Sequence, residues 1–129
     1  MSNVRAHQVP TRLKRPVYCA QQNLLPPGFT YPEAYKAFVA QGRSRVGPVN
    51  EDWCVFDEEE VNAFFEYART IVPHPVVPFM RRNGEDGVAC FGCEASEQEP
   101  RIYIFHYCGK PAWYRTDLTF ADWLASIPP

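Results

Sequence analysis

Residues 75–116 read PVVPFMRRNGEDGVACFGCEASEQEPRIYIFHYCGKPAWYRT, and their pattern decides the fold class. Val76 to Arg81 is apolar and β-branched at its start, as a strand requires. Pro78 implies that this strand lies at an edge or starts late, because proline cannot donate to a ladder. The run from Asn83 to Gly87 supplies two glycines and short polar side chains, the chemistry of a tight turn. Val88 to Cys93 then returns antiparallel, and Glu94 to Pro100 is a polar loop. In Arg101 to Tyr107, Ile102, Ile104 and His106 share one face, while Tyr103, Phe105 and Tyr107 share the other. A strand apolar on both faces is covered on both sides. Cys108 to Pro111 is a second turn, and Ala112 to Thr116 is the last strand.

Outward from this meander the chain reads as helix. Thr30 to Gln41 carries Tyr31, Ala34, Tyr35, Phe38 and Val39 at helical spacing. Thr30 with Glu33 predicts a capping box, with Pro32 in the first turn and Gly42 as the stop. Short strands are expected near Val17 to Ala20, Val46 to Val49 and Trp53 to Phe56. Asp57 to Val72 is the clearest helix, capped by Asp57 and Glu60 and ended by Pro73. Its stripe is Val61, Phe64, Phe65, Ala68, Ile71 and Val72. Thr119 caps a last helix, Phe120 to Ile127, whose stripe is Phe120, Trp123, Leu124 and Ile127. Residues 1–16 hold Pro10 and Pro16 and read as a flexible basic arm. Residues 17–129 form a single α+β domain: an antiparallel sheet, made of the four-strand meander plus short N-terminal strands, packed with about three helices.

A family resemblance rests on these same residues. The apolar-Pro-Phe opening at Val77 to Phe79, the turn at Gly84, the Cys90-Phe91 strand end, the aromatic strand near His106 and the Phe120-x-x-Trp123-Leu124 helix occur in that order. Upstream, Tyr31 to Val39 carries a proline, an acid, tyrosines and a phenylalanine at matching spacing. The pattern resembles the SUKH superfamily, which holds bacterial toxin-immunity proteins and the fungal Smi/Knr cell-wall regulators. The likeness spans roughly residues 30–127 and is one of apolar types and turns, without a catalytic signature. It implies a helix-covered antiparallel sheet and a protein that neutralises a cognate toxin. It supplies no contact residues, because such interfaces are specific to their toxins.

Composition limits the functional classes. The 129 residues suit one domain with a sizeable core, and aromatics make up 15%. No run approaches the roughly 20 apolar residues that span a bilayer. The first residues lack the apolar segment of a secretory signal, so a cytoplasmic protein is expected. Net charge is −2 but unevenly spread. Residues 1–16 carry Arg5, Arg12, Lys14 and Arg15 without an acid, +4, whereas residues 17–129 hold nine Lys/Arg and fifteen Asp/Glu, −6. An acidic body disfavours nucleic acid and favours a basic protein partner. Five cysteines, an odd number, argue for reduced thiols rather than a disulfide framework.

The motifs that could carry chemistry are few. Cys90 and Cys93 form a C-x-x-C, but within a strand and before an acidic loop, where a thiolate is disfavoured. Cys90, Cys93, His106 and Cys108 are the right ligand types for a structural zinc, yet strand alternation sends Cys90 and Cys93 to opposite faces. No metal or other cofactor is therefore expected. Neither a nucleophile elbow nor a phosphate-binding loop occurs in the sequence, and an enzyme is not the expected class. The acids divide by cause. Asp57 to Glu60 are explained by helix capping, and Glu85 and Asp86 by the turn. Glu94, Glu97 and Glu99 lie in a loop with no structural need for three acids and best fit a partner contact, for which Glu85 and Asp86 are further candidates. The expected protein is a non-enzymatic binder of a cognate toxin, with a nuclease as one candidate. Its rivals are a zinc-stabilised or thiol-bearing small domain and a Smi/Knr-like regulatory scaffold. The sequence implies no membrane partner and does not define an oligomeric state.

Overall fold

The computed structural model describes residues 15–94 and 99–129. Six antiparallel strands form one sheet whose spatial order follows the chain: β1 (Arg45–Val46), β2 (Trp53–Val55), β3 (Val76–Arg82), β4 (Gly87–Gly92), β5 (Ile102–His106) and β6 (Trp113–Arg115). Among the described residues three α-helices accompany it, α1 (Glu33–Ala40), α2 (Val61–Ile71) and α3 (Phe120–Ser126). The class is α+β, as the alternation of apolar residues predicts.

The sheet separates two cores. On the first face lie Phe91 of β4 and Ile102 and Ile104 of β5, covered by Tyr35 and Phe38 of α1 and Phe120 and Trp123 of α3. Aromatic rings fill this layer: Phe79 stacks on Phe91 at 4.2 Å, and Tyr35 meets Phe91 and Phe120 edge-on at 5.2 Å each. On the second face lie Val88, Cys90, Tyr103 and Phe105, covered by Phe64 and Ala68 of α2. The split of β5 into two buried faces is the one its sequence predicts.

Pro78 sits neither on an outer strand nor before a late start, since β3 begins at Val76 and has neighbours on both sides. β2 pairs only with Met80, Arg81 and Arg82, so the missing N–H costs no rung on that side. A bulge between Pro78 and Met80 brings both Phe79 and Met80 to the first core.

Helix starts also differ from expectation. α1 begins at Glu33 with Pro32 as its N-cap and no side-chain cap bond, so the Thr30 box does not form. Pro32 is extended, and its carbonyl accepts from Tyr35 and Lys36. The Asp57–Glu60 box does form, in a turn that precedes α2. Asp57 Oδ1 accepts from the Glu59 and Glu60 N–H groups, and Glu60 Oε1 accepts from Asp57 N–H. Thr119 Oγ1 caps α3 by accepting from Asp122 N–H. The strand expected at Val17 to Ala20 reduces to a single Pro16–Asp57 bridge. The one expected at Val46 to Val49 ends at Val46, because Gly47 turns the chain at φ 113°.

Candidate partner interface

The loop acids divided by cause in the sequence occupy different environments. Glu94 follows the end of β4 and turns back onto the sheet. Its carboxylate accepts from the Tyr103 hydroxyl and lies 3.4 Å from Arg115 Nε. Only glycine fits beneath it, since a Cβ at Gly92 would stand 2.6 Å from the Tyr103 ring and 2.9 Å from the Glu94 carboxylate. Burial, then the Glu94 bond and charge, push the Tyr103 phenol up to about 12. Glu94 therefore has a structural task that sequence reasoning did not assign to it. Glu97 lies outside the described residues, as does most of the basic arm. Glu99 lines an open cleft of about 970 Å³ with Tyr31, Glu33, Arg101 and Thr119.

Glu85 lies 3.5 Å from Arg82 across its own turn. Asp86 reaches further: its carboxylate accepts from the N–H groups of Cys108 and Gly109, tying the β3–β4 turn to the β5–β6 turn. Burial opposes its charge, but these bonds and one from its own backbone N–H outweigh it and hold the carboxyl below its ordinary value.

The four potential zinc ligands do not converge. Cys90 pairs with Tyr103 and points into the second core, whereas Cys93 packs against the first. His106 pairs with Gly87 and stacks with Tyr114, which lies across from Ile104 on the first face. Cys108 is exposed beyond the strand. Among the described residues, no three His, Cys, Asp or Glu side chains are grouped to hold a metal ion. Burial drives the Cys90 thiol well above its ordinary value, and burial with the Glu94 charge pushes Cys93 up to about 11. Neither supplies a thiolate at neutral pH.

The cations of the body are largely consumed by its acids. Among the described residues, six of the nine Lys/Arg in residues 17–129 form ion pairs: Lys36, Arg45, Arg69, Arg81, Arg82 and Arg115. Exposed carboxylates at Glu58, Glu59 and Glu66 lie along α2 and its leading turn. The cap uses Asp57 and Glu60, so helix capping does not account for Glu58 and Glu66. Among the described residues, no helix is long and apolar enough to cross a membrane. No family model, curated protein or solved structure matches the chain.

Proposed function

We propose that the chain is a non-enzymatic binding protein that acts in the cytoplasm and neutralises a cognate toxin by occluding it, as the SUKH immunity proteins it resembles do. One observation carries this reading. The body carries a charge of −6, and among its described residues six of its nine cations are held in ion pairs, so its carboxylates outnumber its cations. Such a surface attracts a basic protein and repels nucleic acid. Occlusion needs only a rigid scaffold and complementary charge, and an α+β sheet with a core on each face supplies the rigidity. Nucleases present basic clefts, which makes one a natural target.

The test is co-expression of the chain with the protein encoded in the adjacent reading frame. The reading expects restored growth and a purified complex whose affinity falls as salt rises. Neither binding nor protection, with any neighbouring toxin, would overturn it.

A further inference from the structure

Asn83 and Gly84 sit in the β3–β4 turn and are the one Asn-Gly pair in the sequence. The amide carbon of an asparagine side chain can be attacked by the backbone nitrogen of the next residue, which closes a five-membered ring. A side chain on that next residue obstructs the approach, and glycine has none. The fold needs glycine here. Its φ is 79°, and a Cβ would stand 2.9 Å from the Asn50 carbonyl oxygen. The turn therefore keeps a thermolabile asparagine beside the residue that protects it least.

The structure braces that side chain at both ends. Nδ2 of Asn83 donates to Asp52 Oδ1 at 2.7 Å and to Cys54 Sγ at 3.2 Å. Its Oδ1 accepts from Arg81 Nη1 at 2.7 Å. Acceptors at the nitrogen and a donor at the oxygen fix the orientation of the amide. The Asn83 backbone N–H donates to the Asp52 carbonyl at 2.8 Å. The braces are themselves held: Asp52 is buried and lies 2.8 Å from Arg45, and Arg81 lies 2.6 Å from Glu60.

We infer that Asn83 is a self-modification site, kept closed by this network and opened when the turn comes away from Asp52. Ring closure needs the amide to rotate its carbon onto the Gly84 nitrogen, and the network opposes that rotation. In the open turn the Gly84 nitrogen bonds to Asn83 Cγ and gives up its proton. The Cγ–Nδ2 bond breaks, and ammonia leaves with that proton, giving a succinimide. Water then adds to one ring carbonyl and cleaves its bond to nitrogen. Cleavage at Cγ leaves aspartate; cleavage at the backbone carbon leaves isoaspartate, with the chain running through Cγ. Nothing is oxidised or reduced, and water is the sole co-reactant. Either product carries a carboxylate in place of the amide, so an acceptor replaces the donor that faced buried Asp52. Isoaspartate also lengthens by a carbon the turn whose Asp86 holds Cys108 and Gly109. The change is one-way, and the amide network sets its pace.

The test incubates the full chain at neutral pH beside a peptide of residues 80–87, reading ammonia release and the conversion of Asn83 by peptide mapping. The peptide should convert at least about tenfold faster than the folded chain, because reaction through local opening scales with the open fraction. Asp52→Ala removes the charged acceptor and should speed conversion in the chain by about tenfold. Cys54→Ala removes the longer bond with little change of volume and should speed it less, which keeps the test decidable if Asp52→Ala does not fold. Phe105→Ala separates the network from general stability. It opens the core but leaves the braces in place, so Asn83 should convert more slowly in it than in Asp52→Ala. Equal rates in peptide and folded chain would overturn the inference. So would an unchanged rate in every folded network variant, or conversion in Phe105→Ala as fast as in Asp52→Ala. Asn83→Asp, the direct product, should unfold at lower urea than wild type, and equal stability would overturn the one-way character.

Discussion

Asp52 is the only buried charged side chain among the described residues, and its partners explain its place. Arg45 Nε lies 2.8 Å from one carboxylate oxygen, and Asn83 Nδ2 donates to the other at 2.7 Å. Asn83 N–H also donates to the Asp52 carbonyl, so one residue joins β1, β2 and the β3–β4 turn. Burial opposes the charge, but bonds from Asn83, its own backbone and Arg45 hold the carboxyl below its ordinary value. A depressed carboxyl contributes stability above the unfolded-state value of about 3.9 and loses it as pH falls through the folded value. Asp52→Ala should therefore cost about 1–3 kcal/mol at neutral pH in urea denaturation, with the gap from wild type narrowing below about pH 4. A gap that stays constant with pH would mean the charge is not the stabilising element. Glu94 gives a second residue-scale expectation. Glu94→Gln removes a charge that disfavours ionisation of Tyr103, so the Tyr103 phenol should titrate below about 12, while burial keeps it above the ordinary tyrosine value. Ultraviolet absorbance against pH reads this, with Tyr103→Phe assigning the step; an unmoved titration would remove Glu94 as the cause.

At the scale of elements, β5 binds the two cores together. Phe105 is fully buried, packs against α2 through the second core, and pairs with Val88 and Trp113 on either side. Phe105→Ala should cost about 3–5 kcal/mol, and a loss below about 1 kcal/mol in chemical denaturation would contradict its central position. This strand was legible in sequence because burial on both faces leaves an unbroken apolar run, and α2 because its stripe and its Asp57–Glu60 box agree. α3 was legible through Thr119, whose hydroxyl does what its position predicts. The start of α1 was not, because Thr30 and Pro32 offer two competing caps and only the tertiary position of Tyr31 decides between them: its hydroxyl accepts from Ala20 N–H. Pro78 was misread since a sequence gives no hint of how far β2 extends along β3. The proposed partner surface was legible only in part. Acid content is visible in the sequence, but that Glu94 folds inward onto Tyr103 and that Tyr67 meets Tyr107 are contacts between segments distant in the chain. The net −4 of residues 57–71 is likewise visible in the sequence, whereas the pairing of Glu60 with Arg81, 21 residues on, is not.

At the scale of the whole molecule, the arrangement of charge separates two places where a basic partner could first be felt. One is the acid-rich stretch of residues 57–71; the other is the loop that holds Glu97 and Glu99. Charges at an interface rim act mainly on encounter, because salt screens them and packed anchors set how long a complex lasts. Replacing Glu58, Glu59 and Glu66 with Gln takes the body from −6 to −3. All three are exposed, and the surface ion pair of Glu66 with Arg69 is worth little to stability. Under the toxin-binding proposal, association with the partner should then slow by roughly threefold to tenfold at low salt, with a shallower salt dependence and a nearly unchanged dissociation rate. Glu97→Gln with Glu99→Gln, leaving Glu94 to its internal partners, is the companion variant and should change association less if α2 faces the partner. Stopped-flow association at two salt concentrations reads both. A larger effect from the loop pair would move the interface to that loop. An unchanged rate and salt slope in both variants would mean that long-range charge does not choose the partner, and that the surplus of carboxylates on this body serves solubility instead.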